Sequence, residues 1–211
     1  MFSATFAEPT EIAAEAALRT AFQTDRLYLA AGGRLHFSGA ITLGPDVVFQ
    51  GTCRLDGPLN VEQGCQLTDV TLGAGCNVRA HSVLARLAAG RNNIFGPFCF
   101  IRDDCVAGDD CILGAHLEAA RSRFGSGVKI SHRAFIGDAV LGDETIVGAG
   151  VVFCNYDAGR RLATTVGARV VVGSGALIVP PLTIGDGAMI AAGSVVTKDV
   201  APGARLIQKR G

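Results

Sequence analysis

VGARVVVGSGALIVPPLTIGDGAMIAAGSVV, residues 166–196, sets an aliphatic side chain at every sixth position: Val166, Val172, Ile178, Ile184, Ile190 and Val196. Gly or Ala often follows, as at Gly167, Gly173, Gly185 and Ala191. Four places on stands a small or aliphatic residue: Val170, Ala176, Leu182, Ala188 and Ser194. A period of six fits neither the 3.6-residue turn of an α-helix nor the two-residue alternation of a long strand. It fits a short strand, a turn and another short strand, repeated. One aliphatic side chain per unit then points into a narrow prism, and Gly or Asp accommodates the corner.

The same step runs earlier through Leu43, Phe49, Leu55, Val61 and Leu67. Shorter runs with shifted phase fill the middle: Leu72, Val78 and Leu84; Phe95, Ile101, Ala107 and Leu113; Phe124, Ile130 and Ile136; Leu141, Val147 and Phe153. Three units close one triangular coil, and stacked coils form ladders of like side chains. The period does not give the hand of the coil; by resemblance to hexapeptide solenoids the fold is an all-β, left-handed parallel β-helix. The largest phase slip, between Phe153 and Val166, marks a loop that leaves the prism around Asn155-Tyr156-Asp157-Ala158-Gly159-Arg160-Arg161. Loops on a rigid scaffold are where function concentrates.

Ahead of the repeats, Glu8-Pro9-Thr10-Glu11 opens an Ala-rich stretch from Ile12 to Phe22 whose apolar spacing suits one amphipathic helix, capping the first coil. The expected organisation is a helical cap or lead-in over 1–34, the β-helix over 35–204 and a basic tail over 205–211.

Composition agrees with this picture. Apolar residues make up 49% and charged residues 18% of 211, so a core can form, yet there is no Trp and glycine numbers 28. That favours short strands and tight turns over a helical bundle. Nineteen basic residues balance nineteen acidic ones, which argues against a nucleic-acid partner, since such proteins need a net basic face. No apolar run approaches the roughly 20 residues that span a bilayer, so no membrane partner is expected. Seven cysteines without a C-x-x-C pair, in a chain without a basic-then-apolar leader, read as reduced thiols of a cytoplasmic protein.

Cys65, Cys105 and Cys111 occupy the small interior position of their hexapeptides, and Cys76 and Cys99 share that offset. They read as small core hydrophobes. Cys154 lies beside the loop, with nothing next to it to activate a thiolate. Of the four histidines, His36, His81 and His116 read as surface or packing residues, and their gaps are poor for a stacked three-histidine metal site. No metal is expected. His132 stands two places after the inward Ile130 and should project from the prism. A neutral imidazole on such a wall can take a proton from an attacking amine or hydroxyl as acyl transfer proceeds.

From about Ile41 to Ile207 the chain resembles the C-terminal acetyltransferase domain of the bifunctional GlmU enzymes. The carrying segments are Gly96-Pro97-Phe98, Ser131-His132, Val147-Gly148-Ala149-Gly150, Cys154-Asn155-Tyr156-Asp157, and Ile190-Ala191-Ala192-Gly193 followed by Thr197 and Val200. The resemblance implies an acetyl-CoA-dependent transferase acting on an amino sugar or sugar phosphate, assembled as a homotrimer. It assigns His132 as catalytic base and the Ala149 backbone N–H as the donor to the thioester carbonyl. Asn155 and Tyr156 would hold the sugar. Ser174 and Ala192 would contact acetyl-CoA, and Lys209 would approach its phosphates with Arg210 beside it. Arg102 would grip the substrate phosphate, and Arg161 in the loop would also reach a phosphate.

Three positions depart from that pattern: Ala120 replaces a phosphate-binding lysine, Phe135 a tyrosine and Ile146 a sugar-contacting asparagine. Arg121 or Arg133 would supply substitute charge. The departures keep two alternatives open: a catalytically silent binding or structural solenoid, and an acyltransferase of the sugar-nucleotide or lipid A type. The family's nucleotide-binding half is not expected, because Leu87-Ala88-Ala89-Gly90-Arg91-Asn92 and Leu29-Ala30-Ala31-Gly32-Gly33-Arg34 mimic only the opening of its glycine-rich loop.

Overall fold

In the computed structural model, which describes residues 1–207, the hexapeptide positions all face inward. Val166, Val172, Ile178, Ile184, Ile190 and Val196 are buried, and so are the small residues between them, Val170, Ala176, Leu182, Ala188 and Ser194. The earlier runs behave alike: Leu43, Phe49, Leu55, Val61 and Leu67 have no exposed surface. Strands of two to ten residues succeed one another around three faces, and each pairs in parallel with the strand one coil on. Examples are Ile94–Phe95 on Ile112–Leu113, and Val171–Val172 on Met189–Ile190. The result is a left-handed parallel β-helix of about ten turns. Every coil donates backbone hydrogen bonds to the next, so the ladder that satisfies the main chain also fixes which residues meet across coils.

The N-terminal region differs from the helix expected over Ile12–Phe22. β1 (Phe2–Ile12) is an 11-residue strand, and α1 (Glu15–Phe22) follows it. β2 (Leu27–Leu29) already belongs to the coil, pairing in parallel with Val47–Phe49. β3 (Arg34–Leu43) pairs antiparallel with β1 and parallel with the next coil. The physical reason lies in the alternation Phe2-Ser3-Ala4-Thr5-Phe6. Its period of two turns Phe2, Ala4 and Phe6 toward the core cluster. Phe6 and Phe22 close the open end against the interior: Phe6 stacks on Phe37 at 5.1 Å, and Phe22 meets the same ring edge-on at 5.8 Å. The cap is therefore a strand and a helix together. The coil also continues past residue 204, since Arg205–Leu206 pairs with Met189–Ile190.

The cysteines lie where the repeat puts them. Cys65, Cys76, Cys99, Cys105 and Cys111 are buried, as is Cys53, and none of the seven is disulfide-bonded. Burial pushes the thiols of Cys65 and Cys99 up to about 11 and about 12, which makes them unreactive. Cys154 is half-buried. Among the described residues no buried side-chain polar atom lacks a hydrogen-bond partner.

Removing one interior rung should disturb the coils that share it. Leu113→Ala, at a fully buried position, is expected to lower unfolding stability by about 2–5 kcal/mol in chemical denaturation.

Candidate active site

The chain runs through a corner between Ile130 and Ala134, and His132 projects from it, exposed, with no side-chain hydrogen bond or ion pair among the described residues. Register decides what lies beside it. Lys129 pairs with Ile146 and Phe135 with Val152, a constant 17-residue offset on both sides of the corner, and Gly150 N–H donates to the Arg133 carbonyl. His132 therefore faces Ala149 one coil on. The next pairings, Ile146 with Val171 and Val152 with Leu177, bring Ser174 opposite Ala149. The pairings after those, Val171 with Met189 and Leu177 with Val195, bring Ala192 opposite Ser174. Four residues that the family resemblance selects from separate segments thus form one column down one edge.

The backbone donors of that column lack the side-chain caps found at several corners of a neighbouring edge. On a neighbouring edge four corner N–H groups are capped by side chains of the next coil: Arg91 N–H donates to Asp109 (2.7 Å), Asp109 N–H to Ser126 (3.2 Å), Ser126 N–H to Asp143 (2.8 Å) and Ala168 N–H to Asp186 (2.9 Å). Down the His132 edge, the N–H groups of Ala149, Ser174 and Ala192 have no acceptor among the described residues. They remain free to meet the carbonyl or amide oxygens of a ligand.

The edge is also bare. Gly150, Gly175 and Gly193 follow the three free donors, each with φ between +70° and +74°, a conformation that glycine adopts without steric cost. A Cβ on Gly175 or Gly193 would meet nothing within 4 Å. Gly148 permits the close approach of coils, because a Cβ there would come within 2.5 Å of the Ser174 backbone nitrogen. On the N-terminal side of His132 the same edge is crowded. His81, Phe98 and His116 stack face to face, with ring centroids 5.5 and 5.3 Å apart. Phe98 separates the two imidazoles. Among the described residues no group of three or more His, Cys, Asp or Glu could hold a metal ion.

The other expected site residues gather at the far end of the same face. Arg102 pairs with Ala120, and Ala120 with Gly137; Asn155 Nδ2 donates to Asp138 beside them. Tyr156 and Arg161 oppose each other in a small antiparallel hairpin, Tyr156–Asp157 with Arg160–Arg161, that leaves the prism; both are exposed. Five residues of extended strand separate His132 from Gly137, about 16 Å. One chain therefore does not bring its imidazole to its own Arg102 and Asn155. Lys209 and Arg210 lie outside the described residues.

Two of the expected charges already have partners in the chain. Arg121 does not offer a free charge: it holds Asp138 through two bonds of 2.7 and 3.0 Å and Asp103 through a third of 3.0 Å. Arg102 is likewise engaged, by Asp103 and by Glu118 at 2.8 Å. Arg86 completes a ladder of alternating sign, Arg86–Asp103–Arg121–Asp138, which ends on Asn155. Partners stand 17 or 18 residues apart, one per coil, so a search for opposite charges at coil spacing would have found them. The Arg121 guanidinium holds the Asp138 carboxyl below the usual carboxylate range, against burial and with help from Asn155. At Asp103 burial opposes ionisation, and the surrounding arginines overcome it.

The repeat and much of the sequence are shared with known proteins. The family model for the bacterial transferase hexapeptide (six repeats) matches residues 163–198. The bifunctional protein GlmU of Acinetobacter baumannii (strain AYE) is 37% identical over 174 residues, 80% of this chain and 38% of that protein. The chain is related to GlmU and carries the bacterial transferase hexapeptide over residues 163–198. GlmU of Stenotrophomonas maltophilia is 38% identical over 176 residues, 81% of this chain and 39% of that protein. GlmU of Alkalilimnicola ehrlichii is 41% identical over 153 residues, 72% and 33%. The chain thus spans less than two-fifths of the length of these GlmU relatives. Among solved structures, LpxA from Acinetobacter baumannii superposes with a TM-score of 0.58 at 19% identity, covering 83% of this chain and 67% of that one. A UDP-N-acetylglucosamine acyltransferase from Campylobacter jejuni gives 0.51 at 18%, covering 86% and 69%. At that identity the likeness speaks for the fold. No helix among the described residues is long and apolar enough to cross a membrane.

The ion ladder should stabilise the wall with a definite pH dependence. Because the folded-state pKa of Asp138 is depressed, its contribution is full above about pH 4 and fades as the pH falls through the folded value. Asp138→Asn is expected to cost about 1 kcal/mol at neutral pH. In denaturant titrations across pH, the gap between the two proteins should narrow only in the acid range.

Proposed function

We propose that this chain is a coenzyme A-dependent acyltransferase that moves an acetyl group from acetyl-CoA to an amino group, or a hydroxyl, of a sugar. The observation that carries the reading is the column of His132, Ala149, Ser174 and Ala192, with an unpartnered imidazole at its head and three unmet N–H donors below. A pantetheine arm is a chain of amides and methylenes. It suits an edge that offers free donors two coil spacings deep, about 10 Å, with no side chains to obstruct it. The thioester then lies against Ala149, within reach of the base.

The chemistry follows from those positions. The acceptor nitrogen attacks the thioester carbonyl carbon while His132 takes a proton from the nitrogen. The carbonyl oxygen gains negative charge and receives a hydrogen bond from Ala149 N–H, a fixed donor that needs no reorganisation as charge develops. Collapse of the tetrahedral intermediate re-forms the carbonyl and breaks the carbon–sulfur bond. The sulfur leaves with the proton held by His132, which regenerates the neutral imidazole and gives the acetamide and the free thiol of coenzyme A. Ala149, Ser174 and Ala192 contribute backbone rather than side chains, so small residues serve there.

The site is completed between copies of the chain, in a homotrimer. The separation of His132 from Arg102 and Asn155 along one face supports this, because a single hexose cannot touch both ends. The outward apolar residues flanking the His132 edge also support it: Ile146, Val171 and Met189 on one side, Phe100 and Leu177 on the other, are all exposed in the single chain. Asn155 and Tyr156 of one copy would then orient the acceptor beside His132 of another, with Arg161 close by on the hairpin. Seven cysteines without a disulfide suit the cytoplasm.

The direct test mixes purified protein with acetyl-CoA and a panel of amino sugars and follows thiol release. His132→Ala, a change at an exposed position, should leave the fold intact by circular dichroism and lower kcat/KM by about 10²–10⁴-fold. Thiol release at the solvent rate from every acceptor, or full turnover without the imidazole, contradicts the reading.

A further inference from the structure

The arginines at the far end of the face are already occupied. Asp103 receives Arg86, Arg102 and Arg121. Arg102 directs one terminal nitrogen at Asp103 and the other at Glu118. Arg121 commits Nε and both terminal nitrogens to Asp103 and Asp138. Arg86 Nε stands 3.5 Å from Asp104. Three guanidinium groups thus meet four carboxylates, and the group carries one negative charge in excess. Arg161, whose charge also acts on Asp138, brings it only to neutrality. Arg123 follows the corner in sequence and lines a groove with Arg121 and Asp138 on the adjoining side. A phosphate approaching Arg102 or Arg121 competes for the terminal nitrogens with carboxylates that are already bonded there.

What this surface leaves open is different in kind. Asn155 spends its amide N–H on Asp138, so its Oδ1 remains as an acceptor. Ala120, between the two arginines in sequence register, has no exposed surface. Phe135 lies along the backbone of Gly137, where a Cβ would come 2.9 Å from its ring, and Asn155 borders the same glycine. Phe100 is 42% exposed beneath the Arg102 guanidinium, which sits 5.4 Å from its ring centre. Aromatic surface beside acceptor oxygens suits a ligand with an apolar ring face and hydroxyl or ammonium donors at its rim. It does not suit a dianion.

We propose that the acceptor is an amino sugar without a phosphate, free or glycosidically linked, because the arginines that would clamp a phosphate are filled by the chain's own Asp103, Glu118 and Asp138. This rests on the acetyl-transfer reading above and adds the substrate class to it. Asp103 acts as a specificity-determining residue: it touches no reacting atom and works by holding three arginines closed.

The test compares kcat/KM for glucosamine, methyl glucosaminide and glucosamine 1-phosphate with acetyl-CoA, in the wild-type protein, Asp103→Asn and Glu118→Gln. The wild type should favour the better of the two uncharged-ring acceptors over the phosphate by about tenfold or more; which of those two leads distinguishes a free from a linked sugar. Asp103→Asn should raise the value for the phosphate about tenfold and leave the neutral acceptors nearly unchanged. Glu118→Gln, which opens Arg102 from its exposed side, should move the same ratio the same way. Preference of the wild type for the phosphate, or an unchanged ratio in both variants, overturns the proposal. Should no acceptor be acetylated, the acetyl-transfer reading fails, and calorimetric binding decides this one separately. Glucosamine 1-phosphate should bind the wild type no more tightly than glucosamine does, and should bind Asp103→Asn about tenfold more tightly than the wild type. Equal binding to the two proteins overturns it.

Discussion

A prism this narrow accepts one large side chain per hexapeptide, and the rest of the molecule follows from that limit. Interior positions such as Leu113, Ile130 and Val147 stack coil on coil, while parallel hydrogen bonding holds neighbouring strands in fixed register. The outward residues inherit this register without choosing it. Side chains separated by one coil of sequence become neighbours, whatever loop intervenes. The hairpin after Phe153 shows this well: it adds residues between Ala149 and Ser174, yet leaves the two in one column. A solenoid can in this way enlarge a loop without moving the groups its core positions.

The edges of the prism do different work because they treat their backbone donors and corner side chains differently. One edge meets its N–H groups with Asp or Ser from the next coil. Another carries the ladder of alternating arginine and aspartate. The third leaves the N–H groups of Ala149, Ser174 and Ala192 unmet among the described residues and places glycine beside each. An exposed, solvated donor costs little in the free protein and is ready for a ligand oxygen. The closed ladder does the opposite. It pairs charge internally and so removes the field that would draw in an anion.

Much of this was legible in the sequence, and the limits are physical. The six-residue step at 166–196 carries the fold because only inward positions must be aliphatic, so the pattern survives divergence of everything else. His132 was legible as an outward residue from its distance to Ile130. The column beneath it was not, because phase slips hide which residues share a rung until hydrogen bonds fix the offsets. The strand Phe2–Ile12 went unread although Phe2, Ala4 and Phe6 alternate, since the Ala-rich segment after it drew the reading toward a helix. Arg121 was misread for a related reason. Its charge is visible in sequence, but its partners Asp103 and Asp138 stand a full coil away in each direction. The hexapeptide pattern does not say which corner side chains pair across coils.

Residue-resolved amide hydrogen exchange, with and without coenzyme A, addresses the column most directly, because its three key donors are backbone N–H groups without an acceptor among the described residues. Selective slowing at Ala149, Ser174 and Ala192, with the capped donors of Arg91 and Ser126 unchanged, is the expected outcome. Protection confined to another edge, or no protection at saturating coenzyme, would contradict the placement of the coenzyme and with it the role given to His132.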